Sequence, residues 1–398
     1  MGGREVHIDV AIIGGGIAGL WALNQLRNSG YSAVLFEREA LGGYQTIGSQ
    51  GMIHGGVKYA LSGSWNSDSE AISAMPGLWR QCLAGTGKVD LTGCRVLSED
   101  FYLWSGAALQ SRLTSFFASK LLRGHVEKLS ADDYPPALRS ADFRGKVYRL
   151  ADLVLDVPSL IAALATQQRD AIFSVDWAQA RLMRQGEQGV LALADCTVIP
   201  QQLLLTAGTG NAELMAMLGA AQPAMQLRPL QQVLVRHEYQ HDFYGHCIGS
   251  GPSPRLTVSS HRDQLGRPVW YLGGDLSTGA ADEAPEKLIA RAQTELAELL
   301  PWLELGSTEW TTLRLDRAEP RQSAALKPDR AFVGRVDGLN NTRVAWPTKL
   351  TLCPNLGNEL ERQLAADHIL PRYPQKLAAL ASLGKPPLAQ AYWDTLFT

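Results

Sequence analysis

The stretch VAIIGGGIAG, residues 10–19, decides the fold. Val6 to Ile13 first alternate and then run apolar, with β-branched side chains, the pattern of a strand buried in a parallel sheet. The run stops in glycines. Gly14, Gly16 and Gly19 spell G-x-G-x-x-G, and Leu20 to Arg27 continue with helical spacing. The three glycines meet three separate needs, namely a tight turn, room for a pyrophosphate against the backbone, and close helix–strand contact. A helix beginning near Ile17 and Ala18 aims its N–H groups and positive dipole end at that anion. A second strand, Ala33 to Phe36, ends at Glu37, eighteen residues beyond Gly19. A carboxylate there accepts from a ribose 2′-hydroxyl and disfavours a 2′-phosphate, so an NAD-like or FAD-like adenosine is expected rather than NADP. The choice between the two must come from elsewhere in the chain.

Bulk numbers bound the rest. A chain of 398 residues can hold two domains and a large core. With 37 basic against 39 acidic residues and a net charge of −2, no global field recruits nucleic acid or an anionic membrane. The five cysteines (Cys82, Cys94, Cys196, Cys247, Cys353) are scattered without C-x-x-C, so they read as reduced thiols and not as a disulfide frame or metal site. The first strand starts within six residues of Met1, so no signal peptide is expected. No run approaches the roughly 18 apolar residues of a spanning helix. A cytoplasmic protein with at most peripheral membrane contact is expected.

Beyond Glu37 and Arg38, residues 42–63 are too apolar for a solvated loop and too glycine-rich for one helix. Such backbone, from Gly43 through Ser49 and Gln50, suits a large ligand lying on the main chain. Strands are expected at Arg95–Trp104, Ile172–Trp177, Val190–Ala194, Leu203–Ala207, Gln231–Tyr239, Val269–Leu272 and Trp310–Arg317. Helices are expected at Ser69–Ala84, Ser111–Arg123, Val157–Arg169, Pro285–Leu300 and Asn358–Ile369. A second glycine turn, Ala207-Gly208-Thr209-Gly210, follows a strand. Nucleotide-type signals at 10–63, 170–210 and 330–360 predict a nucleotide domain interrupted twice. It is divided here as 1–87, 151–222 and 323–398, with a substrate domain at 88–150 and 223–322.

On these segments the chain resembles the D-amino-acid oxidase and glycerol-3-phosphate dehydrogenase superfamily of FAD oxidoreductases, over nearly its full length. The resemblance rests on IIGGGIAGL, Glu37, SQGMIHGGVKYAL (49–61), LVLDVPSL (153–160), LLLTAGTG (203–210) and WPTKLTLCPNLG (346–357). It implies an α/β fold with a Rossmann-like, GR2-type FAD-binding domain and an interleaved, sheet-rich α+β substrate domain, with one noncovalent FAD. By the same resemblance Gly14, Gly16 and Gly19 hold the pyrophosphate and Glu37 the ribose. Ser49 and Gln50 lie along the diphosphate and ribityl chain, Val175 flanks the adenine, and Gly208 passes close by. Lys349, Leu350 and Thr351 put N–H groups at the flavin's pyrimidine edge, and His54, Lys58 and Tyr59 face the substrate. Relatives with a cysteinyl flavin carry that cysteine just before a P-D segment, and around Gln322 there is none.

IHGGVKYAL and KLT look more like the glycerol-3-phosphate dehydrogenases than the amino-acid oxidases. Two departures stand against a shared phosphate substrate. Lys58 replaces an arginine, a point charge for a bidentate fork. Pro328-Asp329-Arg330 stands where a serine or threonine beside arginine would hold phosphate. The expected reaction is hydride removal from a CH–OH carbon of a small anionic substrate, a hydroxy acid or a polyol of the glycerol-3-phosphate kind. The alternatives are an amine or D-amino-acid oxidase, and a flavin-binding subunit with little activity alone. The electron acceptor, whether oxygen, a quinone or another protein, stays open.

Three further features have two readings each. Arg314, Arg317 and Arg321 in LRLDRAEPR are either a solvated edge or a clamp on a substrate carboxylate, and strand alternation puts only some of them on one side. His237 to His241 spells H-E-x-x-H, but it continues the strand-like run Val233-Leu234-Val235, so zinc chemistry is not expected. Residues 111–128, with Phe116, Phe117, Leu121 and Leu122 beside Arg112, Lys120, Arg123 and Lys128, form either a packed helix or a membrane-surface helix.

Overall fold

The computed structural model describes residues 4–56, 71–106, 126–251, 253–321, 330–375 and 377–397. In its first sheet the opening strand lies between parallel neighbours, as its apolar run predicts, while some outer pairs are antiparallel, so the sheet as a whole is mixed. The order is β10 (Arg181–Gln185), β11 (Gln188–Ala192), β12 (Cys196–Leu205), β1 (Arg4–Ile13), β2 (Ala33–Glu37) and β9 (Ile172–Ser174). β19 (Thr342–Trp346) pairs with the far half of β12, and β18 (Phe332–Arg335) pairs with β19. β1 runs parallel to both β2 and β12, so the glycine turn after β1 and the turn after β12 open on the same sheet edge.

The helix Ile17–Asn28 is buried from Ile17 through Leu26, with no polar face. Such a helix needs neighbours on every side. It packs against the helices Val157–Gln167 and Cys353–Ala366. Gly357 sets the second contact: a Cβ there would stand 2.0 Å from Gln25 Oε1. The helix Val157–Gln167 starts as its sequence predicts, with the Asp156 carboxylate accepting from the Ser159 N–H at 3.1 Å and Pro158 in the first turn.

The second sheet is mostly antiparallel, in the order β17 (Glu309–Pro320), β13 (Met225–Arg236), β16 (Pro268–Gly273), β15 (Pro254–Arg262), β14 (Gly245–Ile248), β5 (Phe101–Ser105), β7 (Lys146–Leu150) and β6 (Val126–Lys128). One face packs on the helix Pro285–Leu299 through Val233, Val235, Trp270 and Leu272. Its other face turns toward the first sheet. A small third sheet, β3 (Met52–Ile53), β8 (Leu153–Leu155) and β4 (Val96–Ser98), lies between them.

Two expectations are corrected. Arg95–Trp104 is not one strand: Ser98 Oγ donates to the Asp100 carbonyl at 2.6 Å, the chain turns there, and β4 and β5 join different sheets. The closing helix begins at Cys353, five residues before the expected Asn358, with Pro354 in its first turn. Of the candidate membrane-surface segment 111–128, residues 111–125 lie outside the described residues, and Val126–Lys128 is the strand β6 and not helix. No helix among the described residues is long and apolar enough to cross a membrane.

Candidate active site

A cavity of about 630 Å³ lies between the two sheets. Its lining includes Glu37, Arg38, Val175 and Trp177, then Gly14, Gly16, Ile17, Ala18, Gly43, Ser49 and Gln50, and also Gly208, Arg317, Lys349 and Leu350. Glu37 ties its carboxylate to the glycine loop: Oε2 accepts from the Gly15 N–H at 2.6 Å and Oε1 from the Glu39 N–H at 2.8 Å. Val175 extends the edge of β2 by donating its N–H to the Glu37 carbonyl at 2.9 Å.

The three motif glycines differ in what excludes a side chain. A Cβ on Gly14 would sit 2.6 Å from Ala207 Cα, and one on Gly19 only 2.0 Å from the Gly14 carbonyl oxygen. Those two are fixed by the protein's own packing. A Cβ on Gly16 would have Thr46 Oγ1 at 3.5 Å as its nearest neighbour. Among the described residues nothing needs glycine at Gly16, so the space there suits a ligand. Thr46, absent from the sequence-derived set, accepts from the Ile17 N–H at 3.0 Å and closes the helix start. Thr206 is a second residue missed: its hydroxyl holds the Ile13 and Gly14 carbonyls at 3.1 and 2.9 Å.

Along the cavity, Ser49 Oγ is buried with no hydrogen-bond partner among the described residues. Gln50 donates both amide hydrogens away, to the Tyr271 carbonyl at 2.7 Å and to Ser259 Oγ at 3.2 Å. At the far end Thr348 takes φ +62°, a costly conformation for a β-branched residue and one concentrated at functional sites. It sets the path of Lys349 and Leu350 along the wall. Thr351 turns away: its hydroxyl donates to the His54 carbonyl at 3.2 Å, and its carbonyl accepts from Trp79 Nε1 at 2.9 Å. His54 is thereby clamped by its main chain, and Gly55 donates its N–H to Asp152 Oδ1 at 2.9 Å. Lys58 and Tyr59 lie outside the described residues.

The arginines separate by strand parity. β13 and β17 pair Arg228 with Arg317, Leu230 with Leu315 and Gln232 with Leu313. Leu230, Gln232, Leu315 and Arg317 all line the cavity. Arg314 points to the opposite face, where Nε donates to the Ala281 carbonyl at 3.1 Å and Nη1 pairs with Asp316 at 3.3 Å. Arg321 follows the end of β17 and donates its N–H to the Ala224 carbonyl at 2.8 Å.

The H-E-x-x-H segment runs off the end of β13 without helix. His237 Nδ1 accepts from the Tyr239 N–H at 3.1 Å, and burial pushes this imidazole down to about 4. No group of metal-ligating side chains occurs among the described residues. All five cysteines are free and buried, and burial raises Cys94 to about 11 and Cys247 to about 12.

The family described as FAD dependent oxidoreductase, DAO, matches residues 9–341. This chain belongs to it. A probable FAD-dependent oxidoreductase of Pseudomonas aeruginosa, PA4991, is 47% identical over 398 residues, covering 99% of each chain. The crystal structure of that protein superposes with a TM-score of 0.84 over 98% of each chain. More distant folds include glycine oxidase from Geobacillus kaustophilus (TM-score 0.62, 17% identity, 95% of this chain and 98% of that one). Another is L-α-glycerophosphate oxidase from Mycoplasma pneumoniae with FAD bound (TM-score 0.64, 14% identity, 97% and 100%). The cofactor of this FAD-dependent oxidoreductase is FAD, and the cavity suits it. The room at Gly16 fits a diphosphate, and the unsatisfied Ser49 hydroxyl awaits a polar partner.

Proposed function

We propose that the enzyme oxidises a small anionic substrate at a CH–OH carbon, a hydroxy acid or a polyol derivative, with Arg317 holding the anion. The observation that carries this reading is the position of Arg317: alone among the three β17-region arginines it lines the FAD cavity. A guanidinium there offers a carboxylate or phosphate a charge-assisted, bidentate contact of about 1.5–3 kcal/mol. Bound FAD supplies the acceptor for the hydride equivalent. The protein's share is to orient the substrate carbon, exclude water and take the hydroxyl proton. His54 is the proposed proton acceptor, its backbone held by Thr351 so that the imidazole has a fixed origin. The Lys349–Leu350 stretch is proposed to present N–H groups and a cation where negative charge develops.

The resemblance of IHGGVKYAL and KLT to the glycerol-3-phosphate dehydrogenases supports an oxygen-bearing carbon over an amine. Anaerobic bleaching of the flavin absorbance against hydroxy acids, polyols, polyol phosphates and amino acids tests this. Bleaching by a hydroxy acid or polyol compound is expected. Bleaching by amino acids alone would replace the reading with amine oxidation. Bleaching by nothing in the panel, with slow turnover in artificial acceptors, would favour a subunit role.

A further inference from the structure

Residues 387–397 belong to no sheet, yet they join the two sides of the cavity. The first part lies along the loop after β2: Leu388 bridges to Leu41, the Leu41 N–H donates to the Pro387 carbonyl at 2.8 Å, and the Ala389 N–H to the Leu41 carbonyl at 2.9 Å. That loop is held from behind by the Gly42 N–H on the Gly15 carbonyl at 2.8 Å. The glycine loop, residues 41–42 and residues 387–389 are therefore three successive layers of hydrogen-bonded backbone.

The middle part faces inward. Ala389, Gln390 and Tyr392 line the cavity, and the Tyr392 ring comes within 3.3 Å of the place a Cβ on Gly48 would take. Gly48 precedes Ser49, whose buried hydroxyl has no partner among the described residues.

The last part anchors on the second sheet. Trp393, 2% exposed, stacks on His261 with ring centroids 4.2 Å apart and planes at 21°. Asp394 Oδ1 accepts from the Gln264 N–H at 2.8 Å, and the Arg236 guanidinium lies 4.3 Å from the Phe397 ring centroid. His261 is itself bonded to Ser259 Oγ at 3.0 Å, and Ser259 Oγ accepts from Gln50 in the cavity wall. Trp393 thus reaches the cavity by two routes, through Tyr392 along the chain and through His261, Ser259 and Gln50 across the sheet.

We infer that residues 387–397 are part of the FAD-binding apparatus, with Gln390 and Tyr392 contacting the part of FAD that passes Gly48 and Ser49, and Trp393 acting as the positioning residue that holds them there. The segment is a strap that closes the cofactor site by spanning the seam between the sheets. A merely structural role would make Trp393 matter for melting and leave FAD affinity untouched.

The test measures FAD dissociation constants and melting temperatures of the deflavinated full-length chain. Gln390→Ala with Tyr392→Ala, at an exposed and a half-buried position, should weaken FAD about tenfold while lowering the melting temperature of the FAD-free protein by no more than Tyr392→Ala does in packing alone, about 2–4 °C. Trp393→Ala should weaken FAD at least as much, and Trp393→Phe should restore most of the loss by keeping the stack on His261. FAD should also slow carboxypeptidase digestion of the wild-type segment. FAD affinities within about twofold of wild type for the double variant would overturn the inference, whatever happens to Trp393→Ala. Equal digestion rates with and without FAD would overturn it as well.

Discussion

The Glu37 carboxylate and the Gly15 N–H are joined by a 2.6 Å hydrogen bond, so the acid that should meet the adenosine ribose also fixes the loop that meets the diphosphate. One side chain would then serve both the ribose and the diphosphate of the ADP moiety. Glu37→Gln keeps the shape but replaces one acceptor oxygen with a donor, which then faces an N–H. Losing a charged-acceptor bond of about 1.5–3 kcal/mol predicts an FAD dissociation constant raised tenfold or more, and Glu37→Arg should be worse. Fluorescence titration of the deflavinated variants measures it, and an unchanged constant for Glu37→Arg would refute the assignment.

Gly16→Ala and Gly19→Ala should separate binding from folding. The Gly19 Cβ would collide with the Gly14 carbonyl, whereas the Gly16 Cβ meets only Thr46 Oγ1 at 3.5 Å. Gly16→Ala is expected to leave the FAD-free melting temperature within about 2 °C and to lower FAD affinity at least tenfold. Gly19→Ala should lower the melting temperature itself. A Gly16→Ala chain that binds FAD normally would mean that the space at Gly16 is not the diphosphate site.

Arg317→Met should raise KM about tenfold on the true substrate, the cost of one charge-assisted contact. Arg314→Met should not, because its partners are Ala281 and Asp316 on the opposite face. Steady-state kinetics with FAD content checked in each variant decide between them. Equal effects of the two substitutions would remove Arg317 from the substrate site.

Stability should fall with acid in a defined window. Burial is the chief cause that holds His237 and His261 at about 4, with nearby Arg262 adding to the effect on His237. Unfolded imidazoles titrate near ~6.5, so between about pH 6.5 and pH 4 the unfolded chain binds more protons than the folded one. The contribution is complete above ~6.5 and is lost as the pH drops to about 4, at most about 3 kcal/mol per histidine. Urea midpoints across this range measure the slope. His261→Phe, which keeps a ring against Trp393, should flatten it, and an unchanged slope would exclude this imidazole as its source.

Acid precipitation should release yellow FAD into the supernatant. The sequence around Gln322 has no cysteine to hold a flavin. Flavin retained in the pellet would point to a histidyl bond at His54.

The cofactor end of the site was legible because its signals are local: β1, the glycines, the helix start and Glu37 fall within one short stretch, and each residue type answers to one physical demand. The parity of the β17 arginines was legible in part. Alternation separates Arg314 from Arg317, but only the pairing with Leu230 and Gln232 says which face is the cavity. Thr46 and Thr206 were not legible, since each acts on backbone far away in sequence. Neither was the strap, which has no period because its residues face three different surfaces in turn. The break at Ser98 was hidden by apolar residues on both sides of a turn that side-chain bonding makes.

The pairing of β13 with β17 also makes the sign of the site's charge depend on chain alignment. In a strand, neighbours point to opposite sides, so a slip of one position exchanges the two sets. Were one residue inserted between Leu315 and Asp316, Asp316 would take the inward place of the guanidinium and Arg317 would swing outward. A lesion that changes no side chain at the centre would then replace an anion receptor with an anion repeller. One-residue insertions at this point of β17 are therefore expected to abolish turnover while FAD still binds, a pattern that point substitutions at Arg314 or Asp316 cannot reproduce.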